Sequence, residues 1–66
     1  MGVRLDEKAD VLYLRLDDSK VVESEEVRPG VVLDFNDQDQ VVGIEIRGVK
    51  ERVPLANLRQ MQFEVA

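Results

Sequence analysis

The sequence predicts a small α+β domain, mainly β: an antiparallel β-meander of about five strands with a short C-terminal helix. Twelve valines and two isoleucines, with no threonine, give the β-branched bias that suits strands. Several short runs alternate apolar and polar residues. The stretch Gly30–Ile46 has two Val-, Ile- and Leu-rich runs around the polar residues 36–40, which is a hairpin signal.

The first two strands are predicted from alternation. Val3 and Leu5 alternate with charged residues, and the polar run DEKAD at 6–10 reads as a turn. The stretch Val11–Leu16 is the second strand. One of its faces carries three leucines, and the other carries Val11, Tyr13 and Arg15.

The third strand is predicted at 21–28, before the turn dipeptide Pro29-Gly30. It carries Glu23, Glu25 and Glu26, and charge of this density is typical of an edge strand, where it discourages aggregation.

The register of the main hairpin follows from keeping acidic residues out of the core. We expect three opposed pairs on the core face: Phe35 with Val42, Leu33 with Ile44, and Val31 with Ile46. A slip by one residue would bury two carboxylates at high cost. The opposite face then carries Val32, Asp34, Gly43, Glu45 and Arg47.

The C-terminal part predicts one short helix over 54–60. Pro54 suits a first helical turn, and Leu55 and Leu58 share one helical face. Apolar residues at 61, 63 and 65 alternate with polar ones, so the pattern leaves open whether 60–65 forms a strand, continues the helix or pairs with another subunit.

The length of 66 residues predicts one domain, 1–66, that needs extra stabilisation. Cysteine and histidine are both missing, so disulfides and the commonest metal ligands are excluded, and no cofactor is expected. A homo-oligomer, most simply a dimer, is the remaining route. The second sheet face is partly apolar and is the predicted interface, through Val11, Tyr13 and Val32.

Charge and hydropathy limit the classes of binding partner and the cellular compartment that we expect. Fourteen acidic against nine basic residues give a net charge of −5, which argues against nucleic acid and permits a basic protein partner at the edge formed by Glu23, Glu25 and Glu26. The same acidity also serves solubility. No signal peptide or membrane span is expected, and the lack of cysteine fits the cytoplasm.

Two groups of side chains are candidates for catalysis or ligand binding. Ser19 and Ser24 have no histidine to activate them, so we expect no enzyme. Asp34 and Glu45 share the outward face and are weak candidates for a divalent cation or a small molecule. The plainer interpretation is a solvated sheet face on which Arg47 supplies a counter-charge, because two carboxylates alone do not make a pocket.

Three segments carry a family resemblance: DEKADVLYLRL at 6–16, SEEVRPGVVLDFN at 24–36 and VVGIEI at 41–46. Together they resemble the small prokaryotic domain-of-unknown-function family 2283, over about residues 1–48. Such domains tend to have a glycine before the second hairpin strand, where this chain has Gln38-Asp39-Gln40. The resemblance implies a compact β-rich domain, implies no activity, and suggests genes beside toxin-like genes. Residues 49–66 form an extension outside it.

The resulting hypothesis is a cytoplasmic, non-enzymatic, homo-oligomeric protein-interaction module, antitoxin-like in neutralising a basic partner. The alternative is a domain that binds a small molecule or a divalent cation through Asp34 and Glu45. A third possibility is a structural domain whose role depends on its neighbours.

Overall fold

The computed structural model describes residues 1–66 and confirms a mainly β fold with five antiparallel strands in one sheet. The strands are β1 (Gly2–Asp6), β2 (Val11–Arg15), β3 (Glu23–Arg28), β4 (Val31–Phe35) and β5 (Val41–Arg47). Two single-turn helices follow, α1 (Val49–Arg52) and α2 (Leu55–Leu58).

The strands are not arranged in simple chain order: they run β1-β2-β5-β4-β3 across the sheet. The hairpin β1-β2 and the meander β3-β4-β5 are joined because β5 pairs with β2. The connection 16–22 therefore passes along one end of the sheet to reach the far edge. It is held there by hydrogen bonds from the Leu16 amide to the Val42 carbonyl and from the Val22 amide to the Phe35 carbonyl, both 2.8 Å.

The register of the β4-β5 hairpin confirms two of the three expected pairs, Leu33 with Ile44 and Val31 with Ile46. The third was wrong: Phe35 lies opposite Val41, because the register shifts after Asp34. A bulge places two residues of one strand against one of its partner, and alternation alone does not reveal it. Val42, in the bulge, is the most deeply buried side chain of the chain.

The C-terminal helix predicted over 54–60 is shorter than expected, and another turn, α1, precedes it. Gly48 stands before α1 with a φ of 63°, and Pro54 stands before α2. Neither helix has a side-chain cap, which limits both to one turn. No helix is long and apolar enough to span a membrane.

The helices lie at the sheet end that carries the 7–10 and 29–30 turns. The α1 amide of Lys50 donates to Asp10 Oδ1 (2.9 Å), and Arg52 donates to the Pro29 carbonyl (2.8 Å). Arg59, after α2, makes two hydrogen bonds to the Glu7 carboxylate. Val49 and Leu58 are the buried residues of the helices.

Strand pairing separates two faces. The apolar face is formed by Val3, Leu5, Leu12, Leu14, Val31, Leu33, Phe35, Val42, Ile44 and Ile46. The polar face is formed by Arg4, Asp6, Val11, Tyr13, Ser24, Val32, Asp34, Gly43 and Glu45. Only seven residues of the chain are buried, and Val42 is the one apolar-face residue among them. The rest of the apolar side is therefore incompletely covered.

Candidate functional site

The polar face contains a hydrogen-bonded cluster centred on Asp34. Asp34 is only 8% exposed, and its carboxylate accepts one hydrogen bond from the adjacent strand β3 and one from β2, across β5. The Tyr13 hydroxyl donates to Oδ2 (3.0 Å), and the Ser24 hydroxyl donates to Oδ1 (2.6 Å). The residue expected to be an outward, solvated carboxylate is instead buried, because a tyrosine ring and a strand residue on either side cover it. The cluster ties β2 and β3 to β4.

Gly43 makes room for this cluster. It lies on β5 between Arg15 of β2 and Asp34 of β4. A Cβ at this position would lie 2.6 Å from the Tyr13 hydroxyl oxygen and 3.0 Å from Asp34 Oδ2. A glycine is therefore required here by the close approach of the tyrosine to the aspartate across the strand.

Arg15 extends the cluster toward the 16–22 connection. Its guanidinium donates to the Tyr13 hydroxyl (3.3 Å) and to the carbonyls of Asp17 and Ser19. The hydrogen bond with Tyr13 is the main reason that the pKa of Arg15 is raised above its ordinary value. The Ser19 hydroxyl donates to Asp17, and this hydrogen bond lowers the pKa of that carboxyl.

An open depression of about 390 Å³ lies beside the cluster. Its lining combines apolar and charged side chains: Arg4, Asp6, Ala9, Val11, Tyr13, Asp34 and Glu45. The two carboxylates singled out from the sequence are thus brought to one concavity. They occupy diagonal positions, because Asp34 pairs with Gly43 and Glu45 pairs with Val32. Val11 and Tyr13, expected at an interface, line the same depression, whereas Val32 is buried.

The capacity of this depression for a metal ion is small. No group of three or more acidic side chains converges in the way a metal ion needs. Both oxygens of Asp34 already accept protein hydrogen bonds, and Glu45 forms an ion pair with Arg47 (3.2 Å). The arrangement favours hydrogen bonding and charge attraction toward a small organic cation over coordination of a bare ion.

The apolar face is the larger unfilled surface. Apart from the buried Val42, its side chains from Leu5 to Ile46 are half-buried, and Val3 is 55% exposed. Leu16 and Val41, at the end of β2 and the start of β5, are also exposed. All extensive contacts between elements are between neighbouring strands, so the short helices do not pack extensively on this face.

The edge strand β3 is acidic and unpaired on its outer side. Glu23, Glu25 and Glu26 are exposed. The ion pairs of the chain are Arg4–Asp6, Arg47–Glu45 and Arg59–Glu7, so the β3 glutamates have no basic partner within the chain. Their charge is available to an external cation or basic surface.

Sequence reasoning missed Ser24 and Gly43 as members of the Asp34 cluster. Ser24 was considered only as a nucleophile, and Gly43 only as a turn or bulge residue. Their shared signal is register: Ser24 and Gly43 are the two residues directly opposite Asp34 on its neighbouring strands. The predicted β4-β5 register already places Gly43 opposite Asp34, whereas Ser24 requires the β3-β4 register, which the pattern did not supply.

Residues 3–50 match the family model described as "Protein of unknown function (DUF2283)". A search of curated proteins and a search of solved structures found no significant match. The family match covers well over half of the chain and includes all five strands except the first residue of β1. The chain therefore belongs to the DUF2283 family.

Proposed function

We propose that the chain is a non-enzymatic protein-interaction module that works as a homodimer, with the apolar face as the contact between two copies. The observation that supports this is that the strand side chains forming this face, Val42 excepted, are only half-buried or are exposed in the single chain. A contiguous apolar surface on a small protein usually marks an interface.

The accessible surface area of the chain is large enough to include an interface with a second copy. Its accessible surface is 5171 Å², whereas a compact monomer of 7.5 kDa exposes about 4,250 Å². The excess of roughly 900 Å² is close to the ~800 Å² that each partner buries in a standard interface. The radius of gyration of 12.6 Å also exceeds the ~11 Å of a compact chain of this length.

A non-enzymatic role is supported by the state of the polar cluster. The carboxylate of Asp34 is occupied by two internal donors, and Ser24 is one of those donors. No histidine is present to activate a nucleophile. Since the chain also has no cysteine, we place this function in the cytoplasm.

We further propose that the dimer binds a basic protein, as an antitoxin does, through the β3 glutamates. The net charge of −5 and the unpaired acidic edge support this part of the proposal. Capture of one basic protein from the source lysate, lost with E23Q/E25Q/E26Q and at high salt, is the expected result. Capture that is indifferent to both changes contradicts an electrostatic edge contact.

Sedimentation equilibrium of the chain tests the dimer. The informative variant is Val41→Glu, because Val41 is 37% exposed and opposes Phe35 at the end of the apolar face. A carboxylate there is tolerated in a single chain but is desolvated between two copies. The matched control is Val22→Glu, since Val22 is 55% exposed and precedes β3 outside the five strands.

The expected result is a dimer for the parent chain and for the Val22 variant, and a monomer for the Val41 variant at the same concentration. A parent chain that remains monomeric up to millimolar concentration contradicts the proposal. Equal dissociation of the two variants would show that the interface lies elsewhere than on the apolar face.

The depression on the polar face supports a second candidate function, binding of a small molecule. Tyr13 supplies a ring and Val11 an apolar wall, while Asp34 and Glu45 supply negative charge. An organic ammonium compound suits this lining better than Mg²⁺ or Ca²⁺ does. A rise in Tm with putrescine that is lost in Glu45→Gln, with no rise for either metal ion, is the expected result. No shift with any of the three contradicts it.

A further inference from the structure

The segment 61–66 is apolar at alternate positions and unused in the single chain. Met61, Phe63 and Val65 are exposed, with 84% of Phe63 and 80% of Val65 accessible. Gln62 and Glu64 lie between them. No backbone hydrogen bond involves residues 61–66. The segment has the pattern of a strand with one apolar side but has no strand to pair with.

One edge strand of the sheet has no strand to pair with on its outer side, as the segment 61–66 has none. β1 pairs only with β2, so one side of its backbone is unpaired. Its apolar side chains, Val3 and Leu5, belong to the apolar face, and Val3 is 55% exposed. An edge strand of this kind accepts another extended segment by β-augmentation.

We propose that in the dimer residues 62–65 of each chain add to β1 of the other copy as a sixth, antiparallel strand. This inference rests on the proposed homodimer and names the segment that joins its two copies. Exchange of an identical element between two copies is a common and economical route to a symmetric dimer.

Charge selects β1 over β3 as the acceptor edge. The inserted segment carries Glu64, and β3 presents three exposed glutamates, which would repel it. β1 presents Arg4, whose side chain is exposed and has only a loose 4.0 Å contact with Asp6. Opposite charges directly across two strands stabilise their pairing, and like charges oppose it.

The register follows from two requirements. Phe63 and Val65 must extend the apolar face, so these odd-numbered residues must oppose the odd-numbered residues of β1. Glu64 must oppose Arg4. The antiparallel register that meets both pairs Val65 with Val3, Glu64 with Arg4, Phe63 with Leu5 and Gln62 with Asp6.

This addition would widen the apolar face at the side where β1 leaves it bare. Val3 and Leu5 gain an apolar neighbour each, and Phe63 leaves water. Burial of a phenylalanine of this exposure tightens association by at least about tenfold. The linker is residues 59–61, between the end of α2 and the added strand. Three extended residues span about 10 Å, which matches the separation of about 10 Å between packed sheets.

Mixed cysteine variants test the pairing, since the parent chain contains no cysteine. One 66-residue chain carries Val3→Cys and the other carries Val65→Cys, both at exposed positions. A disulfide between the two different chains can form only across copies, and only if the Cα atoms come within about 7 Å. The control mixture replaces Val3→Cys by Arg4→Cys, which points to the opposite face.

The expected result is rapid oxidation of the first mixture to a disulfide-linked dimer, with at least tenfold slower oxidation of the control. Equal rates overturn the register, and a disulfide that forms within one chain of the double variant at high dilution overturns exchange between copies. A charge reversal adds an independent readout: Arg4→Glu weakens the dimer, and Arg4→Glu with Glu64→Arg restores it. Failure of restoration counts against the Arg4–Glu64 pair.

Sedimentation of the parent chain separates the two proposals. A dimer without the 3–65 disulfide contradicts strand exchange and leaves the apolar-face dimer standing. A parent chain that is monomeric contradicts both.

Discussion

On the polar face, residues from four strands depend on one another for their contacts. Asp34 is tolerable in a buried position because Tyr13 and Ser24 each donate a hydrogen bond to it. Tyr13 reaches Asp34 only because residue 43 has no side chain. The sequence motif containing Tyr13 and the one containing Gly43 therefore describe one physical contact.

Gly43→Ala is expected to destabilise the fold by about 1–3 kcal/mol, because its Cβ would displace the Tyr13 hydroxyl from Asp34. Urea unfolding measures the change. Gly2→Ala is the matched control, since a Cβ at Gly2 meets nothing within 4 Å. Equal stability of the two variants would show that the cluster relaxes without loss.

Ser19→Ala is expected to raise the pKa of Asp17 toward its ordinary value, because the Ser19 hydroxyl is the main cause of its lowering. A lowered carboxyl pKa contributes stability above the pKa of the unfolded chain, and this contribution disappears as the pH falls through the folded-state pKa. The variant should therefore lose less stability between about pH 5 and pH 2. A carboxyl-detected NMR titration gives the pKa, with Ser24→Ala as the control that should not change Asp17.

At the scale of elements, alternation predicted four of the strands well because each of them has one apolar side, whereas the acidic β3 was predicted as an edge strand before a turn. The five strand positions and most of the hairpin register follow from period-2 patterning and the Pro29-Gly30 turn. The order of the strands did not follow, because the placement of β5 beside β2 depends on a long-range pairing that no local pattern encodes. The β4-β5 bulge was not predicted either, because it is a local break in the alternation from which the register was predicted.

In the β4-β5 hairpin loop, an aspartate occupies a backbone position that favours glycine. Asp39 adopts a φ of 59°, a left-handed conformation in which glycine is more usual. Asn36 compensates, because its Oδ1 accepts hydrogen bonds from the amides of Gln38 and Gln40, both 3.0 Å. The side chain of Asn36 thus supplies the turn with contacts that a standard two-residue turn obtains from its backbone.

Asn36→Ala is expected to cost about 1–2 kcal/mol, because two amides lose their acceptor in a residue that is 5% exposed. Asp39→Gly is expected to be neutral or stabilising by up to about 1 kcal/mol, since it relieves the positive φ. Thermal or urea unfolding of the two variants measures both effects. The reverse order of stability would mean that the loop does not depend on the Asn36 side chain.

At the scale of the whole molecule, the main weakness of the fold is that the apolar side of its single sheet is not fully buried. A single sheet has two faces: this chain has a hydrogen-bonded cluster on one and leaves most of the other half-buried, with two single-turn helices at one end of the sheet. The sequence predicted a partner from its short length together with the absence of cysteine and histidine. It placed the expected interface on Val11, Tyr13 and Val32, whereas in the structure the larger accessible apolar surface is on the leucine and isoleucine side.

The stability of the chain should therefore depend on its concentration. If folding and dimerisation are linked, a tenfold rise in concentration stabilises the dimer by about 1.4 kcal/mol, which corresponds to a rise in Tm of roughly 3–6 °C for a protein of this size. Differential scanning calorimetry between about 10 μM and 1 mM chain covers two such steps. Val41→Glu should abolish the concentration dependence, and Val22→Glu should keep it. A Tm that is the same at every concentration for the parent chain would mean that the apolar face stays exposed in a stable monomer, and it would contradict the proposed dimer.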